Sequence, residues 1–143
     1  MKFVQLVIYN KKVEIIYRNP KKCDAMSCVD AKTMVEGTDF EKKHTPLIQC
    51  NDVVKAGEIF EVKIQTAGVE HPMEDGHFIQ FIELKVGDVP LVRVDLTQYA
   101  KPEVVVYIKA PSEDHKGQVM KLTAYMYCNL HGIWKYEKEI KIE

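Results

Sequence analysis

The chain has 143 residues, with 20 Lys and Arg against 21 Asp and Glu, so its formal net charge is -1. This length is typical of one core domain with a small appendage, and such a chain folds without disulfides. The balanced charge excludes a basic nucleic-acid-binding surface, and no apolar run approaches the ~20 residues of a membrane span. Gln5 and Asn10 interrupt the N-terminal apolar stretch, which excludes a secretory signal. We therefore expect a soluble cytoplasmic protein.

Period-two alternation of apolar and polar residues dominates the sequence and predicts β-strands. A short strand pair is predicted at 3–8 and 13–17, with a turn between them. Residues 19–40 show no sustained period and are predicted to form a loop with one short strand, and no stretch has a helical stripe. From His44 onward, turns rich in Gly and Pro separate seven predicted strands, at 45–50, 58–66, 77–86, 90–96, 103–109, 118–128 and 133–142.

Seven strands spaced in this way are typical of an all-β, immunoglobulin-like antiparallel β-sandwich. Residues 103–107 (EVVVY) are apolar enough to predict a fully buried strand. Residues 133–142 alternate apolar with charged side chains, which predicts an edge strand or a strand with one buried face. A boundary near residue 38 is predicted to separate the sandwich from a small N-terminal β unit.

The cysteines do not form a C-x-x-C pair, so neither a zinc ribbon nor a redox dithiol is indicated; they are Cys23, Cys28, Cys50 and Cys128. In a reducing compartment, the ordinary interpretation of each is a buried apolar side chain. Cys128 differs from the others because it shares a turn, CNLHG, with His131.

Four of the five histidines lie at predicted strand ends. His71 and His77 flank the turn HPMEDGH, His131 follows Cys128, and His44 precedes the first strand of the sandwich. A single histidine is usually solvated or hydrogen bonded, and this remains the interpretation of His115 in the loop SEDHKG. A metal site therefore requires that the three turn segments converge, which would bring together four imidazoles and one thiolate.

This donor set narrows the choice of metal. Structural zinc is satisfied by four ligands, and Mg²⁺ and Ca²⁺ prefer oxygen. Imidazole with thiolate suits iron or copper, but a blue-copper site also uses an axial methionine, and none follows His131. Iron with four nitrogens and one sulfur is five-coordinate, which leaves a sixth position for a small ligand.

The segments KHTP, HPMEDGHFI and CNLHGIWK together resemble the superoxide reductases, the family of neelaredoxin and desulfoferrodoxin. The resemblance covers residues 38–143 and implies an immunoglobulin-like sandwich. It implies one mononuclear non-haem iron (Fe²⁺/Fe³⁺) with an axial thiolate from Cys128 and equatorial imidazoles from His44, His71, His77 and His131. It further implies one-electron reduction of superoxide to hydrogen peroxide, with rubredoxin or a similar small protein as the electron donor.

The resemblance also implies a catalytic role for Lys43, which matches the lysine of the family's Glu-Lys-His motif. A cation beside a ligand attracts an anionic substrate and helps to deliver a proton. The motif's glutamate, which can cap ferric iron in the family, is replaced by Lys42, and Glu41 stands one residue earlier. In an extended segment this shift points the carboxylate the other way. We therefore expect no carboxylate ligation unless the loop rearranges.

The N-terminal region also departs from the family pattern. Two-centre relatives carry a desulforedoxin-like unit that binds a second iron through four cysteines, whereas this region retains only Cys23 and Cys28. Two thiols cannot complete a four-thiolate site. We expect residues 1–38 to form a small desulforedoxin-like β unit without metal that serves homodimer contact, and residues 39–143 to form the iron domain.

Other functions stay open on the sequence alone. The same ligands could serve a non-enzymatic electron-transfer or metal-binding sandwich, or the histidines could be incidental to a metal-free adhesion-like module. Superoxide dismutation is a further enzymatic alternative. Metal content separates the module from the other candidates, an open sixth position favours an enzyme, and peroxide yield separates reduction from dismutation.

Overall fold

The computed structural model describes residues 31–143 and, before them, the backbones of β1 (Phe3–Tyr9) and β2 (Lys12–Arg18). These two strands form an antiparallel sheet whose register pairs Phe3 with Arg18 and Tyr9 with Lys12. The predicted N-terminal strand pair is therefore confirmed. Cys23, Cys28 and most of the predicted loop after residue 19 lie outside the described residues.

The chain divides into two compact units, Met1–Ala31 and Lys32–Glu143. The division falls a little before the boundary predicted near residue 38. That the smaller unit lacks a metal site and serves homodimer contact stays a prediction.

The larger unit is an immunoglobulin-like β-sandwich, as predicted. Its strands are β3 (Pro46–Gln49), β4 (Val53–Val54), β5 (Ile59–Thr66), β6 (Ile79–Val86), β7 (Val89–Asp95), β8 (Val104–Lys109), β9 (Val119–Cys128) and β10 (Gly132–Ile142). One sheet has the strand order β4-β10-β9-β6-β7 and the other the order β3-β5-β8. Neighbouring strands are antiparallel except β4 and β10, which run parallel. All seven predicted strands occur, and the two-residue β4 is additional.

The core lies between the two sheets, because alternate residues of each strand point inward. The largest fully buried apolar side chains are Ile64, Ile79, Ile82, Leu84, Leu122, Met126 and Ile140. Along β9 the inward row is continuous, with Met120, Leu122, Ala124, Met126 and Cys128 all buried. Cys128 is therefore the last member of a core row and lies where that row reaches the end of the sandwich.

Strand β8 contradicts the prediction that residues 103–107 are fully buried. Val105 is 47% exposed and Tyr107 is 68% exposed, whereas Ile108 is buried. β8 belongs to the antiparallel three-stranded sheet, which packs one face on the core and leaves the other face outward. Of the two alternatives predicted for residues 133–142, the strand with one buried face is confirmed and the edge strand is not. β10 buries Ile140 and Ile142, and it lies between β4 and β9 in the five-stranded sheet.

A short helix, α1 (Asp39–His44), replaces part of the predicted loop. The hydroxyl of Thr38 accepts a hydrogen bond from the Glu41 backbone N–H at 3.2 Å, and the Glu41 carboxylate accepts from the Thr38 hydroxyl and from the N–H groups of Val35 and Glu36. The sequence Thr-Asp-Phe-Glu is thus a capping box, a signal that predicts a helix start even without a long apolar stripe.

Helices contribute little else to the described part of the chain, where the other helical segment is a 3₁₀ turn at Glu113–His115. No helix in that part is long and apolar enough to cross a membrane.

Candidate metal centre

Three segments carry the predicted ligands: the end of α1 and two loops between strands. His44 is the last residue of α1, and Thr45 separates it from β3. His71 and His77 lie between β5 and β6, and Cys128 and His131 border the turn between β9 and β10. Residues far apart in sequence are therefore brought together by the pairing of β9 with both β6 and β10.

Four of the five predicted ligands form one compact group. The ligand atoms of His44, His77, Cys128 and His131 all lie within 4.8 Å of one another. His131 Nδ1 lies 3.1 Å from His44 Nε2 and 3.5 Å from Cys128 Sγ. Nitrogen and sulfur ligands that share one transition-metal ion are each about 2.0–2.3 Å from it, and so at most about 4–5 Å from one another. The group therefore fits a single ion.

His71 lies outside that group of four but packs against it. Its ring centroid is 4.7 Å from that of His44 and 4.8 Å from that of His77. The side chain is only 1% exposed, and the Nε2 atoms of His71 and His77 are buried without a hydrogen-bond partner. Buried polar atoms nearly always have a partner. A metal ion would be that partner for the Nε2 atoms of His71 and His77, which lie beside a thiol and two more imidazoles.

Hydrogen bonds fix which ring nitrogen faces the cluster. His44 Nδ1 lies 2.6 Å from the Phe40 carbonyl, and His71 Nδ1 lies 2.7 Å from the Pro72 carbonyl. A carbonyl only accepts, so each Nδ1 carries the proton and each Nε2 keeps a lone pair. In His131 it is Nδ1 that faces the other ligands. Backbone carbonyl groups thus orient the imidazoles of His44 and His71 with Nε2 free of the proton, as a metal ligand requires.

Three imidazoles of the cluster, those of His44, His71 and His131, are kept in the neutral form. Burial lowers the pKa of His44 to about 4 and that of His71 to about 4, against the opposing effect of their carbonyl hydrogen bonds. Neighbouring imidazoles and Lys43 lower both values further. Burial also lowers the pKa of His131, with added repulsion from His77, Lys43 and Lys32. Neutral imidazole is the form that binds metal, so the site is set for a cation at neutral pH.

The profile of the desulfoferrodoxin family matches residues 36–137. The chain belongs to the desulfoferrodoxin family. A protein from Methanocaldococcus jannaschii, provisionally named a superoxide reductase, is 61% identical over 110 residues, which are 77% of this chain and 92% of that protein. The superoxide reductase of Pyrococcus horikoshii is 31% identical over 124 residues, covering 78% of this chain and 98% of that protein.

A solved structure agrees with these sequence relatives. Superoxide reductase (neelaredoxin) from Ignicoccus hospitalis matches with a TM-score of 0.66 at 35% identity, covering 79% of this chain and 95% of that chain. The resemblance to the superoxide reductases and the predicted sandwich are therefore confirmed. Family membership together with the His/Cys cluster indicates a mononuclear iron site.

A two-residue turn positions His77 in the cluster of this desulfoferrodoxin-family protein. Glu74 and His77 exchange two backbone hydrogen bonds of 3.0 and 3.1 Å across Asp75 and Gly76. Gly76 has φ +80°, a conformation that disfavours side chains bearing Cβ. An Asp-Gly pair is a preferred two-residue hairpin turn. The tight turn can therefore be predicted from the Asp75-Gly76 pair alone.

Asn129 joins two of the segments that carry predicted ligands, and the sequence-based prediction missed it. Its side-chain amide donates to the Gly76 carbonyl at 2.9 Å and accepts from the Phe78 N–H at 2.9 Å. The loop that carries His77 is thereby fixed to the turn that carries His131. No periodicity reveals such a bridge, since it depends on the register of β6 against β9.

Asn129→Ala is expected to lower the free energy of unfolding by about 1–3 kcal/mol, because it leaves two backbone groups without their partner. We also expect faster loss of bound iron, since the two loops are no longer joined. Urea unfolding of the metal-free protein and iron release to a chelator measure these effects. Asn51→Ala, at an exposed position beyond β3, is the control. Equal behaviour of the two variants would contradict the role of Asn129.

Aromatic rings border the imidazoles. Trp134, only 5% exposed, stacks on His44 with centroids 5.3 Å apart. Phe40 lies 4.6 Å from His44 and 4.9 Å from His131. Lys43 Nζ lies 5.5 Å from the Phe40 ring centroid, which places the predicted catalytic lysine at the rim of the cluster. The Phe40–His44 spacing is one helical turn, a signal that depends on recognising α1.

Glu41 does not lie in an extended segment, so the prediction of its side-chain direction was wrong. Residues 39–44 are helical, and neighbouring side chains therefore differ in direction by about 100° rather than pointing to opposite sides. The Glu41 carboxylate is instead held by the N–H groups of Val35 and Glu36 and by the Thr38 hydroxyl. Hydrogen bonds from Val35 are the main cause of its lowered pKa.

Two further residues lie apart from the cluster. His115 Nδ1 lies 3.2 Å from Gln118 Oε1 in the 3₁₀ turn region. Cys50 is half-buried after β3, and burial raises the pKa of its thiol. Neither belongs to the group of ligand atoms described above.

Proposed function

We propose that this chain is a superoxide reductase that binds one iron ion, Fe²⁺ or Fe³⁺, through His44, His71, His77, His131 and Cys128. The observation that supports this most strongly is the convergence of imidazole nitrogens and one thiol from three separate segments, in a chain of the desulfoferrodoxin family. In the proposed reaction one superoxide ion takes up one electron and two protons and becomes hydrogen peroxide.

The chain's own residues define the conditions at the site. When bound, iron supplies the one-electron chemistry. Cys128 lies at the end of the core row of β9 and is fully buried, so its sulfur is shielded from solvent oxidants and competing cations. Phe40 and Trp134 cover the His44 side, which lowers the local dielectric and strengthens electrostatic attraction there.

We propose Lys43 as the residue that attracts superoxide and holds a proton for the product. Its charge lowers the pKa of His44, His71 and His131, so its field extends over most of the imidazole cluster. The same field attracts a small anion to the site. The adjoining Phe40 ring limits the freedom of the ammonium through a cation–π contact.

We propose that the ferric state has no carboxylate ligand. The Glu41 carboxylate caps α1 and fixes the preceding turn, so ligation would cost three hydrogen bonds. Lys42, at the position of the family's glutamate, has no oxygen donor.

The decisive experiment measures stoichiometry. Protein reconstituted with Fe²⁺ is mixed with superoxide, and the peroxide formed per superoxide consumed is determined. We expect one iron per chain and one peroxide per superoxide; a yield of one half indicates dismutation instead. Azide or cyanide is expected to change the visible spectrum of the ferric protein. Failure of the chain to retain iron would overturn the proposal.

Lys43→Ala is expected to lower the bimolecular rate constant with superoxide about tenfold, because electrostatic attraction of an anion is weakened. The rate of the unaltered protein should also fall as ionic strength rises, and this dependence should be weaker in the variant. Pulse radiolysis of the reduced protein measures both. Lys42→Ala removes the same net charge from the same helix and is the matched control; equal losses in the two variants would leave Lys43 without a specific role.

The remaining assignments are also proposals. Rubredoxin or a similar small protein is the proposed electron donor, the proposed compartment is the cytoplasm, and a homodimer is expected to form through the N-terminal unit. Reduction of the ferric protein by candidate donors and sedimentation of the full chain test the donor and the dimer.

A further inference from the structure

Lys32 reaches the metal centre from outside the region that defines the family. The family profile begins at residue 36, whereas Lys32 is the first residue of the larger unit. Its backbone is fixed beside the start of β10: its N–H donates to the Ile133 carbonyl at 2.8 Å, and its carbonyl accepts from the Lys135 N–H at 2.8 Å. This one-residue bridge places the Lys32 backbone next to Trp134.

The side chain of Lys32 points to the ligand turn. Its ammonium donates to the His131 carbonyl at 2.9 Å and lies 5.7 Å from the centroid of the Trp134 ring. The Trp134 indole N–H donates to the same carbonyl at 3.3 Å, and the ring stacks on His44. One carbonyl, belonging to a predicted ligand residue, therefore receives two donors, and one of them is charged.

We infer that Lys32 is a positioning residue of the metal centre: its ammonium holds the His131 carbonyl and adds a positive charge beside the site. The hydrogen bond fixes the turn from Cys128 to His131, and thereby the direction of the His131 ring. The charge favours the less positive oxidation state of a bound metal, so it raises the reduction potential. This inference rests on the proposed function, because it concerns the same iron.

Three substitutions separate the two effects of Lys32. Lys32→Gln keeps a donor but removes the charge, Lys32→Met removes both, and Lys32→Arg keeps both. In Lys32→Gln we expect the ratio of ferric to ferrous protein at a fixed potential to rise about tenfold, equivalent to about 59 mV for one electron. In Lys32→Met we expect the same shift and about tenfold faster loss of iron. Lys32→Arg should resemble the unaltered protein.

A metal-free readout tests the contact itself. Trp134 is the single tryptophan of the chain, so its fluorescence reports on this site alone. We expect its emission to change in metal-free Lys32→Gln and Lys32→Met and to be restored in Lys32→Arg. Lys116→Gln is the matched control, since Lys116 pairs with Glu113 before the start of β9, whereas Cys128 lies at the end of that strand.

Two outcomes would contradict the inference in different ways. If the unaltered chain binds no iron, the proposed function fails and the electrostatic role of Lys32 fails with it. If the chain binds iron but the potential and the Trp134 emission of Lys32→Gln equal those of Lys116→Gln, the inference alone is overturned. A potential shift confined to the Lys32 variants, with Lys32→Arg restored, supports it.

Discussion

Cys128→Ser is expected to lower the affinity of the metal centre for iron by more than about 100-fold and to abolish superoxide reduction. The thiol is fully buried, and its sulfur lies 3.5 Å from His131 Nδ1. Loss of an outer partner of a metal ligand costs about 10–100-fold, so loss of a ligand itself should cost more. Serine has nearly the same shape but is far less acidic, and it does not replace a thiolate.

The experiment compares iron per chain after reconstitution, the visible absorption of the ferric protein, and unfolding by urea. The sandwich of Cys128→Ser should persist, because the change removes no carbon atom from the core. Cys50→Ser is the matched control: this thiol is half-buried after β3 and should retain full iron content. Full iron content and unchanged ferric absorption in Cys128→Ser would remove Cys128 from the ligand set.

The turns that carry the proposed ligands could be predicted from the sequence because their signals are local. Strands alternate with period two, Gly and Pro mark the ends, and the Asp-Gly pair before His77 specifies a tight turn. A strand that buries Leu122 and Met126 must also bury Cys128 two residues later. Placement of the thiol at the end of the core therefore follows from periodicity alone.

The features that sequence reasoning missed depend on tertiary register. Asn129 matters because the pairing of β6 with β9 brings Gly76 and Phe78 within reach of its amide. Lys32 matters because a single bridge to β10 aims its ammonium at His131. The helix α1 differs from these features, because the capping box formed by Thr38 and Glu41 can be recognised in the sequence and predicts a helix start. Its six residues are too few for a periodic stripe.

Acidification is expected to destabilise the metal-free protein steeply between pH 6.5 and pH 4. Burial lowers the pKa of His44 and of His71 to about 4 in the folded protein, against 6.5 for an exposed imidazole. In this window the unfolded chain binds more protons than the folded one, so the free energy of unfolding rises with pH. Above pH 6.5 the imidazoles are neutral in both states, and the free energy of unfolding no longer changes through them. Each of these two imidazoles changes the free energy of unfolding by about 3 kcal/mol across the window, because each unit by which its pKa is lowered is equivalent to about 1.4 kcal/mol.

Urea unfolding at a series of pH values measures this dependence. The lowered pKa values of Glu41 and Glu103 change the stability only below pH 4.5, the ordinary pKa of a glutamate. Above pH 4.5 the pH dependence of the stability therefore comes from the imidazoles. His71→Gln should reduce the slope by about a third to a half, because it removes one of the two imidazoles whose pKa is lowered to about 4, while His131 contributes in the same direction. Fe²⁺ competes with protons for the same nitrogen lone pairs, so reconstituted protein should remain folded to lower pH. A flat profile from pH 6.5 to pH 5 in the metal-free protein would show that the imidazoles are not held neutral by burial.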